Sequence, residues 1–216
     1  EISPSVAGVR EDRTRIDSLV RVRSYDPSAT GPGYLVVETR AGLKMTYGAT
    51  AASRVTLANG RVVTWLCDRI EDRSGNFMSF RYRFDDKAGK PGLDYVLDRV
   101  DFTGNESAAL EPYASIVFDY ERLAPAKAYG DRFLFGERTS LGWQLRSIES
   151  SYRGARLRRY VPTYTAANDS DKFLTIASLK EEGADGLHYR PLTFNYPQSR
   201  PGWQSSDLLA AIPDLP

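Results

Sequence analysis

The residues that could carry out chemistry in this chain are few. Its 216 residues include one Cys, Cys67, and one His, His188. A structural zinc site takes about four Cys or His ligands and a catalytic one about three together with carboxylates, so these two residues predict no metal centre. A single Cys also cannot form an internal disulfide. Cys67 follows the apolar run Val63-Thr64-Trp65-Leu66, which predicts a buried and unreactive thiol.

Pairs of acidic residues are the next candidates, because glycoside hydrolysis needs two carboxyl groups roughly 5 to 10 Å apart. Asp68 and Asp98 occupy equivalent positions of an internal repeat described below. Each is followed by an arginine, Arg69 or Arg99. Repeated Asp-Arg neighbours on strands are typical of solvated cross-strand ion pairs, so we expect these acids to be structural.

No other motif predicts an enzyme. His188 lies in Gly186-Leu187-His188-Tyr189, which lacks a nucleophile elbow, and the glycine-rich signatures of phosphate-binding loops do not occur. We therefore predict a non-enzymatic protein with no catalytic residue, no bound cofactor and no metal, and we assign no ligand-binding residue.

Composition and charge narrow the class of protein. Hydrophobic residues make up 41% and charged residues 26%, which is typical of a folded globular chain. The 29 basic and 28 acidic residues leave a net charge of +1, which gives no broad field to attract nucleic acid or anionic lipid. No stretch approaches the roughly 20 apolar residues of a membrane span, and no signal peptide is recognisable at the start. Because the chain begins at Glu1, we expect it to be a segment of a longer protein.

The elements that must position these residues are predicted to be strands. Residues alternate with period two, are rich in Val, Ile, Thr, Tyr and Phe, and are interrupted by Gly, Asn and Asp, whereas no window keeps a helical period. An early hairpin is expected from residues 34–39 and 43–47 around the turn 40–42. The fold class is all-β.

From residue 61 onward the sequence contains a degenerate repeat of four β-hairpin units. The opening strands are residues 65–70, 95–100, 143–148 and 174–179, and the return strands close with Tyr82, Tyr120, Tyr164 and Tyr196. The closing tyrosines are 38, 44 and 32 residues apart. Unequal spacing favours antiparallel hairpins side by side in a curved open sheet, with an irregular β-solenoid segment as the other possibility.

The organisation follows from this repeat. We expect N-terminal strands and a hairpin in residues 1–60, the four units in residues 61–197 and a C-terminal linker in residues 198–216. Residues Leu123 to Ser140 are expected to form a loop excursion. Pro162 inside a return strand predicts that this strand is at a sheet edge or bulged.

Two surface features have both a structural and a binding interpretation. Arg153, Arg156, Arg158 and Arg159 could hold phosphate or an acidic partner, but alternation places them on opposite faces, so we expect a solvated strand rim. The aromatic residues that open the units could stack on glycans, although rings at matched repeat positions more often form core layers. These residues are Trp65, Tyr95, Trp143 and Phe173.

Residues 65–82 resemble a known motif, a Trp-Leu strand followed by Asp72-Arg73-Ser74-Gly75-Asn76 and a strand ending in Tyr82. This stretch is similar to the SpvB-type N-terminal domain of insecticidal toxin complex B components and related bacterial toxins. The similarity continues in residues 43–48, in the strand 116–122, in residues 157–164 and in residues 192–194, and covers roughly residues 30 to 197.

The resemblance implies that the chain has a structural role in a larger assembly. Members of this family look like parts of hollow β-shells, associated with RHS or YD repeats, that enclose or deliver a toxic C-terminal region. It implies partners in the same toxin chain or a partner subunit, and secretion after synthesis in the cytoplasm. An ADP-ribosyltransferase domain occurs with this family, but its Glu-x-Glu pair is missing here, and Glu181-Glu182 is only a fragment of it. The alternative is a carbohydrate-binding β-module of a secreted or surface protein that uses Trp65, Trp143 or Trp203.

Overall fold

A computed structural model describes residues 8–13, 19–87, 90–123, 129–166 and 174–196. These residues form strands, turns and one 3-10 turn at Ala51–Ser53, with no α-helix among them. The strands are β1 (Val9–Arg13), β2 (Arg21–Tyr25), β3 (Tyr34–Glu38), β4 (Lys44–Tyr47), β5 (Arg54–Thr56), β6 (Val62–Trp65), β7 (Cys67–Glu71), β8 (Asn76–Lys87), β9 (Lys90–Asn105), β10 (Ala114–Arg122), β11 (Tyr129–Leu134), β12 (Glu137–Leu141), β13 (Trp143–Tyr152), β14 (Ala155–Ala166), β15 (Leu174–Glu182) and β16 (Leu192–Thr193).

Twelve strands form one antiparallel sheet in the order β1-β2-β3-β4-β7-β8-β9-β10-β13-β14-β15-β16. The sheet is open, because β1 and β16 end the series without pairing to each other. Neighbours in the sheet follow the order of the chain, as expected for hairpins side by side rather than for the rungs of a solenoid. The all-β, open-sheet prediction is confirmed. In the part of the chain that the structure describes, no helix is long and apolar enough to cross a membrane.

The four predicted hairpin units are the antiparallel pairs β7/β8, β9/β10, β13/β14 and β15/β16. The early hairpin is β3/β4, as predicted. Strand β4 pairs with β7, so strands β1 to β4 and the repeat units share one sheet, whereas β5 and β6 form a separate two-stranded sheet.

The predicted loop excursion between Leu123 and Ser140 is wrong from Tyr129 onward, where β11 and β12 form a separate two-stranded hairpin, and residues 124–128 lie outside the described residues. Phe135 and Gly136 connect the two strands, and both have positive φ, +50° and +87°. A two-residue turn of this kind matches the twist of paired strands, so Gly136 marks a hairpin and not the middle of a loop.

Pro162 lies in β14, which is an interior strand between β13 and β15, so the edge position expected for it is wrong. The expected bulge is present instead. The register of β14 with β15 shifts between Thr163 and Tyr164, and its pairing with β13 ends at Tyr160. A proline is therefore accommodated where the hydrogen-bonded ladder is already irregular.

Among the described residues, one small cluster of buried apolar side chains forms a core, and most other side chains of the sheet are only half-buried. The core cluster is Val55 (1% exposed), Leu57 (6%) and Leu93 (8%), with Phe84 and Leu134 packed against it. It lies where the hairpins β5/β6 and β11/β12 meet β8 and β9. The C-terminal half of the sheet has no comparable buried cluster among the described residues.

Candidate functional site

The structure does not bring the candidate catalytic residues together. Cys67 is a half-buried free thiol, and burial raises its pKa above the ordinary value. His188 is exposed in the loop after β15, with its Nδ1 3.0 Å from the carbonyl oxygen of Tyr189. Within the described residues, no group of three His, Cys, Asp or Glu side chains could hold a metal ion.

The two repeat-equivalent acids have different roles. Asp98 forms an ion pair with Arg83, as expected of a cross-strand pair. For Asp68 the expected solvated ion pair is wrong, since this side chain is buried and accepts hydrogen bonds from the Ala49 amide at 2.6 Å and the Thr50 hydroxyl at 3.1 Å. These hydrogen bonds to Asp68 fix the chain just after β4. They also satisfy the carboxylate, since a buried carboxylate requires hydrogen-bond donors.

The basic run is a paired, solvated rim, as expected. Arg158 pairs with Glu181, and Arg159 lies 3.9 Å from Glu182. The Arg153 guanidinium lies over the rings of two tyrosines, Tyr113 and Tyr152, at 5.7 and 5.5 Å. Because these cations already have partners, the run does not form a cluster of free positive charge.

Two closing tyrosines form equivalent hydrogen bonds, a feature that we call the tyrosine clasp. The Tyr82 hydroxyl donates to the Cys67 carbonyl and the Tyr164 hydroxyl to the Leu145 carbonyl, both at 2.9 Å. Each acceptor lies two residues after the tryptophan that begins its unit. Burial raises the pKa of Tyr82 to about 12. The clasp therefore fixes each return strand to the opening strand of its own unit.

The prediction that the aromatic residues opening the units form buried core layers holds only in part. Trp65 and Trp143 are half-buried, and the Trp65 indole donates to the Pro32 carbonyl at 3.0 Å, so neither is an open platform for a sugar. Tyr95, on the interior strand β9, is 37% exposed, contrary to this prediction, and the closing Tyr196 is also exposed. Phe173, Trp203 and the expected linker from residue 198 lie outside the described residues.

The last unit ends in an incomplete strand, and we call β16 with residues 187–196 the C-terminal edge. Strand β16 pairs with β15 only at Ser178–Thr193 and Leu179–Leu192, followed by a hydrogen bond from the Phe194 amide to the Ala177 carbonyl at 2.9 Å. Large apolar side chains here are exposed. They are Leu187, Tyr189, Leu192, Phe194 and Tyr196.

Comparison with the other repeat units shows that the C-terminal edge lacks a tyrosine clasp. Continued in the same register, the return strand would place Tyr196 opposite Thr175, next to the carbonyl of Ile176. Ile176 follows Leu174 by two residues, as Cys67 follows Trp65, so it is the equivalent clasp acceptor. Tyr196 is instead 54% exposed. The fourth unit thus has a tyrosine at the position required for a clasp, but the hydrogen bond of the clasp is not formed.

A second unusual site lies where β9 and β10 separate. Strand β10 pairs with β13 through all nine of its residues but with β9 only through Ala114–Val117. Beyond that point Arg122 forms ion pairs with Asp85 at 2.8 Å and with Asp94 at 3.2 Å. Its guanidinium lies 4.5 Å from the centre of a tryptophan ring, that of Trp143.

We call Asp85, Asp94, Arg122, Gly142 and Trp143 the seam cluster. Two carboxylates share one guanidinium, and Asp94 is only 3% exposed. Burial raises the pKa of Asp94, the Gly142 amide at 2.8 Å and Arg122 oppose that shift, and the charge of Asp85 adds to it. Because the same cation engages both acids, the cluster pairs charges and does not hold an acid and a base apart around a substrate.

Comparisons with known proteins identify a related family and solved structures with a similar fold. Residues 6–102 match the family described as SpvB, the Salmonella virulence plasmid 65kDa B protein. No curated protein sequence matches the chain. The crystal structure of TcdB2-TccC3-Cdc42 is similar with a TM-score of 0.71 and 16% identity, over 94% of this chain and 12% of that one.

Two further solved structures agree in fold. The N-terminal domain of the effector protein SpvB from Salmonella typhimurium strain LT2 has a TM-score of 0.65 and 14% identity, over 84% of this chain and 69% of that one. The Tc holotoxin pore of Photorhabdus luminescens has a TM-score of 0.63 and 15% identity, over 87% and 11%. This chain therefore spans a small part of the length of the toxin-complex chains.

Proposed function

From the premise that the chain carries an SpvB-type toxin complex domain, we propose that it is a non-catalytic structural segment of a bacterial toxin. In this role it is part of a shell or scaffold that encloses or delivers a toxic C-terminal region. Its partners are other domains of the same toxin chain or a subunit of a toxin complex, and it is secreted after synthesis in the cytoplasm.

The observation that carries this proposal is the C-terminal edge. Folded proteins usually protect a sheet edge with charges, proline or a covering element, because exposed strand groups pair with other chains. Here the C-terminal edge instead presents five large apolar side chains, and the tyrosine clasp of the fourth unit is not formed. Such an edge suits a sheet that continues into a neighbouring element.

The paired state of the charged groups supports the non-catalytic part of the proposal. Asp68, Asp98 and the seam cluster engage backbone donors or arginines, and His188 has no acid beside it within hydrogen-bonding distance among the described contacts. The division into residues 1–60, 61–197 and 198–216 remains part of this proposal, with the four hairpins as the repeating body of the segment.

A graft tests the proposal. The segment of the TcdB2-TccC3 protein that matches this chain is replaced by residues 1–196, and assembly is measured by size-exclusion chromatography and by protection of the enclosed region from protease. We expect the graft to assemble and to protect. Phe194→Lys at the edge should reduce protection, whereas Phe133→Lys, an exposed ring on β11, should not. A graft that assembles no shell, or equal protection in both variants, would contradict the structural role.

A further inference from the structure

The same strand register recurs at four junctions of the sheet, where a strand that carries a tyrosine meets the opening strand of the next unit. The junctions are β4/β7, β8/β9, β10/β13 and β14/β15, and the opening strands are counted from Trp65, Tyr95, Trp143 and Leu174. In each junction the tyrosine lies opposite the third residue of the opening strand. The pairs are Tyr47–Cys67, Tyr82–Leu97, Tyr120–Leu145 and Tyr164–Ile176.

A bulge follows each of these pairs at the same position. The fourth residue of every opening strand is passed over in the pairing, and the sixth lies opposite the residue two before the tyrosine. The bulged residues are Asp68, Asp98, Arg146 and Ala177, and the pairs beyond them are Met45–Ile70, Phe80–Val100, Phe118–Ile148 and Pro162–Leu179. Because the connections between these strands differ in length, the register is a property of the strands and not of the turns.

Residues 203–208, which follow the C-terminal edge and lie outside the described residues, have the pattern of another opening strand. The first residue is aromatic, Trp203, the fifth is polar, Asp207, and the sixth is aliphatic, Leu208. The opening strand 143–148 has the same three residue types at these positions. Ser205 departs from the pattern, because the third residue of the four described opening strands is Cys, Leu or Ile.

The register of the other junctions leaves a short connection between this segment and the edge. With Tyr196 opposite the third residue, Ser205, the first residue Trp203 lies opposite Gln198, as the first residues do at β8/β9, β10/β13 and β14/β15. Four residues, 199–202, then join the two strands, and they end in Pro-Gly. Hairpin connections usually have about two to five residues, and a Pro-Gly pair favours a turn. The sequence beyond the edge thus fits the hairpin that the register requires.

We propose that residues 203–208 form the opening strand of a fifth unit, which pairs with residues 192–198 and covers the outer side of the C-terminal edge. In this arrangement Phe194, which is 43% exposed, lies opposite Leu208, as the equivalent aromatic and aliphatic residues do at β10/β13. Because only four residues tether the strand to the edge, its pairing costs little loop entropy and outcompetes a second copy of the chain. The segment expected as a linker from residue 198 then begins with a strand.

The backbone of the edge specifies which amides the new strand engages. The Phe194 amide donates to β15, and amides alternate in direction along a strand, so the Asn195 amide points outward to the new strand. Pro197 removes one hydrogen bond of this ladder, at its end and beside the bulge, where proline is tolerated. The clasp acceptor of Tyr196 lies on β15, on the inner side, so the outer pairing does not itself form the clasp.

Cross-linking of the full chain tests the register. Asn195→Cys with Asp207→Cys places two thiols directly opposite each other, about 4.5 to 5.5 Å apart at Cα, which suits a disulfide. The matched pair Thr163→Cys with Ser178→Cys occupies the equivalent positions at β14/β15, where the two hydroxyl oxygens are 2.7 Å apart. Under mild oxidation we expect both pairs to bridge at similar rates, with peptide mapping to exclude bridges to Cys67.

A register-shifted pair is the negative control. Asn195→Cys with Leu208→Cys has nearly the same tether, but its side chains lie on opposite faces of the hairpin, so it should bridge at least about tenfold more slowly. Equal rates for the two pairs that share Asn195→Cys would show an unpaired tail and would overturn the proposal.

Amide hydrogen exchange of the full chain provides a test that does not depend on the cysteine variants. The Asn195 amide should be protected at least about tenfold, and Asp207→Pro, which removes the facing donor, should abolish that protection, whereas Asp214→Pro should keep it. An unprotected Asn195 amide would contradict the pairing. Protection that depends on protein concentration, in a chain that elutes as a dimer, would assign the edge to a second copy and equally overturn the proposal. None of these outcomes depends on a role in a toxin.

Discussion

Truncating Leu57 tests whether the small core between the two hairpins supports the fold. Leu57 is 6% exposed and packs with Val55 and Leu93. Leu57→Ala removes three carbon atoms, Cγ and the two Cδ methyls, and leaves a cavity, and such changes cost about 2 to 5 kcal/mol. Because two surface hairpins cover this site and can partly collapse onto it, we expect the lower half of that range, about 2 to 3 kcal/mol.

The assay is urea and thermal unfolding followed by tryptophan fluorescence. For a chain of this size, about 1 kcal/mol corresponds to about 2 to 4 °C in Tm, so Leu57→Ala should lower Tm by about 4 to 12 °C. Leu187→Ala removes the same groups from a side chain that is 73% exposed and should change stability by less than about 0.5 kcal/mol. A loss below about 1 kcal/mol in Leu57→Ala, or equal losses in both variants, would refute this placement of the core.

Two further predictions concern the clasp and the thiol. Tyr82→Phe and Tyr164→Phe should each cost about 0.5 to 1.5 kcal/mol in urea unfolding, and the double variant should be additive because the two clasps lie in different hairpins. Tyr196→Phe is the control, since its hydroxyl has no clasp, and a loss as large as in Tyr82→Phe would contradict the repeat geometry. Cys67 should react with iodoacetamide at about pH 8 more slowly in the folded chain than in urea, because burial raises its pKa and only the thiolate reacts. Equal rates would show that the thiol is not shielded.

The hairpin units could be predicted from sequence because their determinants are local. Strand alternation, a turn rich in Gly and Asn, and a closing tyrosine all lie within about twenty residues, as in Trp65 to Tyr82. Antiparallel neighbours joined by short turns then follow with little freedom. The early hairpin β3/β4 was predictable for the same reason.

The seam cluster could not be predicted from sequence, because it forms at the point where β9 and β10 stop pairing. Asp94 meets Arg122 across 28 residues and Gly142 across 48. Neither acid of the cluster belongs to the repeat motif, whereas Asp98, which does, forms an ordinary ion pair. Asp68 shows the same limit, since its buried role depends on the chain after β4 folding back over it.

The C-terminal edge shows why one residue pattern can have two outcomes. Tyr82 and Tyr164 lie in strands paired on both sides, and their rings are half-buried, while Tyr196, with the same spacing, is 54% exposed. The difference is the neighbour, because a return strand gains its full ladder only when another strand lies outside it. Sequence specifies the ability of residues 192–196 to pair, but the burial of Tyr196 requires a contact from outside the described sheet. This dependence agrees with the proposed role as a segment of a larger shell, and it makes the C-terminal edge the part of the molecule where that proposal can be tested.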